Sequence, residues 1–140
     1  MGNILLRSAI VLLCAFVALT AIPSAFLVLP SLPLEWLSGP FSDYTVPAVA
    51  LAMVGALAAA AALGVISTPQ LGALAAIAAG VAMMAFELVE VAVVGIALIE
   101  FPDQPQSWLQ PIYFAIGAAL TVLGTLLRRT GIARIAISAA

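Results

Sequence analysis

The 140-residue sequence has very little charge and contains neither histidine nor lysine. Only 7% of its residues are charged, and the four basic ones are arginines, so it lacks the clustered cations that neutralise nucleic-acid phosphates. The absence of histidine removes the commonest metal ligand and general base. The single cysteine, Cys14, excludes an intramolecular disulfide and a CxxC redox pair. We therefore expect no nucleic-acid partner, no metal and no cofactor.

Apolar residues are in large excess. They make up 66% of the sequence, and the mean hydropathy is +1.31. A soluble domain carries about 45–50% apolar and about 25% charged residues. Because a domain of this size leaves much of its surface exposed, a soluble fold could not bury so much apolar area. The composition predicts an integral membrane protein.

Four apolar segments are each long enough to cross a bilayer, which takes about 20 residues per helix. They are Ser8–Leu29, Thr45–Ile66, Leu71–Ile99 and Pro111–Leu127. Pro23 should kink the first, because proline removes a backbone hydrogen bond. The third would extend roughly 43 Å as one helix, so we expect it to tilt or to project beyond the membrane. The pattern predicts an all-α fold, a single membrane domain over residues 1–140 with four helices in an antiparallel bundle.

The arginines predict the orientation. With four spans, the residues before the first and after the fourth lie on one side, and positive residues remain in the cytoplasm. The arginines are Arg7, Arg128, Arg129 and Arg134. The opposite loops hold acids and tryptophans, namely Glu35, Asp43, Glu100, Asp103, Trp36 and Trp108. Both termini are therefore predicted to be cytoplasmic.

Small residues recur four apart within the spans. The pairs are Gly55–Ala59, Ala76–Gly80 and Gly117–Thr121. Such pairs let helix backbones approach closely within a bilayer, where apolar burial alone does not drive association. We expect them to form helix–helix contacts, although a GC-rich genome would also enrich alanine.

Glu87 and Glu90 are the most informative residues for function. They are three residues apart, on one face of the third span together with Met83 and Gly80, and this small-residue face should point into the bundle. A carboxyl group at bilayer depth is costly and needs a partner or a proton. Polar residues expected at similar depth are Thr20, Ser24, Gln110 and Tyr113. Together these six residues predict a polar pocket that opens outward, bounded by the segment that ends at Tyr44.

Three interpretations of the two glutamates are open. They bind a proton, a cation or the polar end of an amphiphilic ligand; they hydrogen-bond between helices and fix packing; or Glu90 is solvated among headgroups. The leading hypothesis is a non-enzymatic binding or accessory subunit, with membrane lipid, a lipid-like ligand or another membrane protein as its partner. The alternative is a transporter or channel for protons or small cations, acting as a homo-oligomer. No catalytic constellation is present, so an enzyme ranks third.

Two segments that enter the second and fourth spans carry a family resemblance. They read GPFSDYTVP from Gly39 and SWLQPIYFAIG from Ser107. With the acidic third span between them, they resemble an uncharacterised family of small four-helix bacterial integral membrane proteins, common in actinobacteria. The resemblance covers nearly the whole chain and implies a bacterial plasma-membrane location. Its members often have tryptophan and glutamine or glutamate where Phe86 to Glu90 stand, which implies a need for hydrogen bonding more than for charge.

Overall fold

A computed structural model describes residues 2–34, 42–100, 102–103 and 105–138, with the side chains of 93–94, 97–98, 105–106 and 132–138 excepted. Over these ranges the chain is helical and contains no strand. The helices are α1 (Gly2–Pro23), α2 (Thr45–Ser67), α3 (Pro69–Val94), the single turn α4 (Ala97–Glu100) and α5 (Leu109–Ser138). Four helical segments are long and apolar enough to cross a membrane. The predicted all-α class is confirmed for the described residues.

Some sequence predictions concern residues that the structure does not describe. Glu35 and Trp36, predicted for the loop after the first span, lie outside the described residues. The side chain of Arg134 does so as well, although its backbone belongs to α5. The orientation prediction also uses Asp43, Glu100, Asp103 and Trp108, which lie within the described ranges.

α1 and α2 pack against each other around small residues. Gly55 is buried on α2, where an added Cβ would lie 2.6 Å from Ile22 Cγ1 and 3.3 Å from Ala21 Cβ on α1. Ala59, its predicted partner one turn later, is half-buried. The predicted packing role of Gly55 is confirmed, because a larger residue there would collide with Ile22 of α1.

α3 and α5 approach each other closely at Gly80 and Gly117. An added Cβ on Gly117 would lie 2.8 Å from the Gly80 carbonyl oxygen, and one on Gly80 would meet the Gly117 carbonyl oxygen. The Thr121 hydroxyl donates to that same Gly117 oxygen at 2.9 Å. Ala76, one turn before Gly80, is fully buried. Both predicted small-residue pairs therefore lie in the helix–helix contact.

The first helix changes type at Pro23. Since proline has no N–H, the α-helical bond to the carbonyl four residues earlier is missing. The chain continues as a π-helix over Ser24–Val28 and a 3₁₀ turn over Leu29–Ser31. The Leu29 N–H donates to the Ser24 oxygen, five residues back. The predicted irregularity is present, but the apolar segment, Asn3–Ser31, begins earlier than predicted.

The prediction of one continuous third helix to Ile99 is wrong. α3 ends at Val94, and Gly95 has φ 90° and ψ −174°. Glycine adopts positive φ readily because it has no Cβ. A single turn, Ala97–Glu100, follows. The excess length of this apolar stretch reflects a helix break, not one long helix that tilts or projects.

The fourth helix is longer than predicted at both ends. α5 runs Leu109–Ser138, so Arg128 and Arg129 are exposed residues within the helix and do not mark its end. Arginine is a good helix former, so a change from apolar to basic residues does not stop a helix. The apolar part, Leu109–Gly131, still has the length of one span.

The arginines collect at one end of the structure. The Arg7 Nη2 donates to the carbonyl oxygens of Val65 at 2.9 Å and Ile66 at 3.0 Å, which brings the start of α1 to the end of α2. At this end Gly131 of α5 also lies against the side chain of Gln70, near the start of α3. Arg128 and Arg129 stand three and two residues before Gly131. Asp43, Glu100 and Asp103 belong to the connections at the opposite end.

Candidate functional site

Glu87 lies inside the group of four helices. Its side chain is only 2% exposed, and it shares a face of α3 with Met83 and Gly80, both buried. Glu90, one turn later, is half-buried and close enough to interact electrostatically with Glu87. The prediction that Glu87 faces the other helices is confirmed. The period of the α-helix, applied to small and polar residues, was sufficient to find it.

The Glu87 carboxyl group has no hydrogen-bond partner in the described part of the chain. Both Oε1 and Oε2 are buried and unpaired there. An unsatisfied buried polar group costs roughly 1–3 kcal/mol, and more when it is charged. The interpretation in which Glu87 fixes packing through an interhelical hydrogen bond therefore has no such bond to support it among these residues.

Tyr113 of α5 brings a third polar group to this place. Its ring packs edge-on against Phe16 of α1, with centroids 6.4 Å apart and an interplanar angle of 67°. The side chain is 5% exposed. Its hydroxyl lies near Thr20 and within electrostatic range of Glu87 and Glu90. Nevertheless the hydroxyl is buried and forms no hydrogen bond with another described residue.

Thr20 contributes an acceptor to this cluster, not a donor. Its hydroxyl donates within α1, to the carbonyl oxygens of Phe16 at 2.8 Å and Val17 at 3.3 Å. The oxygen lone pairs of the Thr20 hydroxyl can still accept a hydrogen bond from the Tyr113 hydroxyl. A carboxyl group accepts hydrogen bonds in either protonation state and donates one only when it is protonated, so the Tyr113 hydroxyl is the one donor of the Glu87–Tyr113–Thr20 cluster that does not depend on the state of Glu87. Such a site is complementary to a ligand group that donates hydrogen bonds.

Gln110 and Ser24, the remaining predicted residues, have other roles. Gln110 is buried, and its Nε2 donates to the Gly95 oxygen at 3.3 Å, which links the start of α5 to the break after α3. Ser24 is half-buried at the start of the π-helix, and its hydroxyl forms no hydrogen bond with the Glu87 carboxyl in the described structure. The structure thus brings together Glu87, Glu90, Tyr113 and Thr20.

Sequence reasoning missed one buried polar residue. Ser107, assigned to a loop, is 1% exposed in a 3₁₀ turn, Pro105–Trp108, directly before α5. Ser107 and Gln110 each have a further interaction partner. The signal was available in the segment from Ser107 to Gln110, whose polar residues flank a tryptophan where an apolar helix begins.

A separate cavity of about 710 Å³ lies between the segment that follows α1, from Ala25 to Leu34, and the first half of α2. We call it the α1–α2 groove; it is lined by Ala25, Phe26, Pro30, Leu34, Asp43, Tyr44, Thr45, Ala48, Val49, Ala52, Met53 and Ala56. Asp43 and Tyr44, which end the segment predicted to bound the polar pocket, border this groove. Glu87 and Glu90 are not in its lining, so it is distinct from the Glu87 cluster.

Asp43 and Tyr44 fix the end of the groove. The backbone N–H of Thr45 donates to Asp43 Oδ1 at 2.9 Å. This bond, together with the Thr45 hydroxyl, lowers the pKa of the exposed Asp43 carboxyl, so it is charged at neutral pH. The Tyr44 hydroxyl donates to the Pro33 oxygen at 3.0 Å and ties the chain after α1 to the start of α2.

Neither region resembles a metal centre. The described residues contain no group of three or more potential metal-ligating side chains. Comparisons with protein-family models, with curated proteins and with solved structures each return no match. The resemblance to small four-helix bacterial membrane proteins has no support from them and stays a prediction.

Proposed function

We propose that this chain is a four-span antiparallel bundle in a bacterial plasma membrane that acts as a non-enzymatic binding or accessory protein. Its arginine end lies in the cytoplasm, with both termini. Its interhelical site at Glu87 receives a hydrogen-bond-donating group of a lipid-like ligand or of a partner membrane protein. The observation that carries this proposal is the unpaired, buried Glu87 carboxyl.

The membrane part of the proposal is supported by length, apolar composition and charge. Four apolar helices have spanning length. Arg7, Arg128 and Arg129 lie at one end, as the preference of positive residues for the cytoplasm predicts. The bacterial location comes from the sequence resemblance alone.

The binding part is supported by the cost of leaving Glu87 unpaired. Polar groups within a membrane are expensive and commonly functional. The described arginine side chains lie at the far end from Glu87, so they provide no ion pair for it. A ligand that carries an ammonium, amide or hydroxyl donor would supply the missing bond, and the Tyr113 hydroxyl could donate to an acceptor on the same ligand.

Native mass spectrometry from mild detergent tests this proposal. We expect the wild-type protein to retain a stoichiometric lipid-like molecule or partner protein. Glu87→Leu should lose it, because leucine cannot accept a hydrogen bond. Glu87→Gln removes the acidic group but keeps an acceptor oxygen, so this variant tests the contribution of charge separately from that of hydrogen bonding. Glu100→Gln, at an exposed acid, is the matched control and should retain the bound species.

Two results would contradict the binding proposal. One is a wild-type protein that carries no bound species in mild detergent. The other is a flux of protons or cations through reconstituted vesicles that Glu87→Gln abolishes. The second result would support the oligomeric transporter or channel instead, in which Glu87 and Glu90 carry the transported ion.

A further inference from the structure

The α1–α2 groove has the length of one leaflet. On α2 its lining runs from Thr45 to Ala56, about 16 Å at 1.5 Å per residue. The hydrocarbon core of a bilayer is about 30 Å thick, so the groove spans about half of it. Its volume of about 710 Å³ falls in the range of about 300–1,000 Å³ that is typical of small-molecule sites.

The shape of the groove follows from its residues. Ala48, Ala52 and Ala56 are spaced four apart and line it with methyl groups along α2. Ala25, in the π-helix that follows Pro23, is fully buried at the opposite wall, whereas Phe26 beside it is exposed. Methyl groups and an aromatic ring line the groove along its length. The groove is therefore suited to a narrow, flexible apolar chain.

The end of the groove is anionic. The Asp43 carboxylate is exposed there, at the level where the chain enters α2. It forms no ion pair with the described arginine side chains, since Arg7 bonds the opposite end of α2 and Arg128 and Arg129 lie at that end also. The Tyr44 hydroxyl is already engaged with the Pro33 oxygen. The carboxylate can therefore accept hydrogen bonds from a cationic headgroup.

We propose that the α1–α2 groove binds one acyl chain of a phospholipid with a primary ammonium headgroup, the ammonium lying against Asp43. The lipid belongs to the leaflet on the acidic side of the protein. This site rests on the membrane insertion proposed above, but it does not depend on Glu87, which lies outside the groove.

Lipid titration followed by native mass spectrometry tests the site. The full chain is delipidated in mild detergent and mixed with phosphatidylethanolamine or with phosphatidylglycerol, which has no ammonium group. Ala56→Phe fills the groove. Ala60→Phe is the matched control, since Ala60 is exposed one turn further along the same face of α2 and is not in the groove lining. Asp43→Asn removes the charge, with Asp103→Asn, also at an exposed acid, as its control.

We expect one phosphatidylethanolamine to remain bound to the wild type and to Ala60→Phe, and to be lost from Ala56→Phe. Asp43→Asn should lower the preference for phosphatidylethanolamine over phosphatidylglycerol by about two- to five-fold, the effect of one exposed ion pair. Equal lipid binding by Ala56→Phe and Ala60→Phe would overturn the groove as the site. Equal affinity of the wild type for the two lipids would overturn the role of Asp43.

Two further measurements keep the result interpretable. Circular dichroism establishes that Ala56→Phe is folded, and Ala56→Leu offers a smaller filling residue if it is not. Glu87→Leu should bind phosphatidylethanolamine in the groove as the wild type does. Loss of a ligand in Glu87→Leu therefore tests the site at Glu87, whereas loss of a lipid in Ala56→Phe tests the groove.

Discussion

The guanidinium group of Arg7 donates to the backbone carbonyl of Val65 at 2.9 Å. Through the same Nη2 it also reaches the Ile66 carbonyl. The last carbonyls of an α-helix have no partner within the helix and carry a partial negative charge. Arg7 therefore serves as a C-terminal cap for α2, provided by another helix.

Removing this cap should lower stability. We expect Arg7→Leu to reduce the free energy of unfolding by about 1–2 kcal/mol, since it deletes hydrogen bonds from a charged donor at a partly exposed site. Thermal unfolding in detergent, followed by circular dichroism, measures the change. Arg129→Leu removes the same charge from an exposed position and should have little effect. A similar loss in both variants would mean that net charge, not the cap, is responsible.

The Gly80–Gly117 contact should not tolerate larger side chains. Gly80→Leu places a side chain where the Gly117 carbonyl and Thr121 lie, and overpacking costs about 1–3 kcal/mol. We expect a lower unfolding temperature in detergent for this variant. Ala78→Leu, at an exposed position on the same helix, is the control and should leave the temperature nearly unchanged. Equal stability of the two variants would contradict the close approach of α3 and α5.

Replacing Glu87 should stabilise the protein without its ligand. Glu87→Leu exchanges an unpaired buried acid for an apolar residue, and buried polar groups replaced in this way often yield about 1–3 kcal/mol. We expect a higher unfolding temperature in ligand-free detergent solution. Glu100→Leu, at an exposed acid, should change little. A marked loss of stability on Glu87→Leu would instead show that the carboxyl has a structural partner.

Asp43 should make stability depend on pH in the acidic range. The Thr45 N–H lowers the pKa of Asp43 below the usual 3.8, so its contribution is fully present above about pH 4. It should be lost as the pH falls through the lowered folded-state value. Unfolding temperatures from pH 6 to about pH 2 compare the wild type with Asp43→Asn. Their difference should shrink on acidification, and a difference that grows would contradict the assigned hydrogen bond.

Sequence patterns predicted those features that depend on composition or on helical period. The apolar segments predicted the number of helices with spanning length, and the positions of Met83 and Gly80 predicted the buried face that holds Glu87. Counting residues also brought Thr20 and Tyr113 to similar depth, where the structure places them side by side. These features depend on regular helices, for which distance along the chain converts directly into position.

The features that were missed depend on backbone states that a local sequence does not determine. Gly55 continues a helix, whereas Gly95 ends one at positive φ, and both follow valine in apolar surroundings. Pro23 predicted an irregularity but not a π-helix, so the prediction for Ser24, directly after it, was unreliable. The α1–α2 groove required the relative placement of two helices, which periodicity alone does not supply.

The contact of Gly80 with Gly117 is made by backbone atoms, which have no rotamers to change. The helices that carry Glu87 and Tyr113 are consequently packed main chain against main chain at this contact. α1 meets α5 through the rings of Phe16 and Tyr113, and rings can turn. The side of the buried carboxyl that faces α1 is therefore bounded by aromatic side chains, and the side between α3 and α5 by main chain.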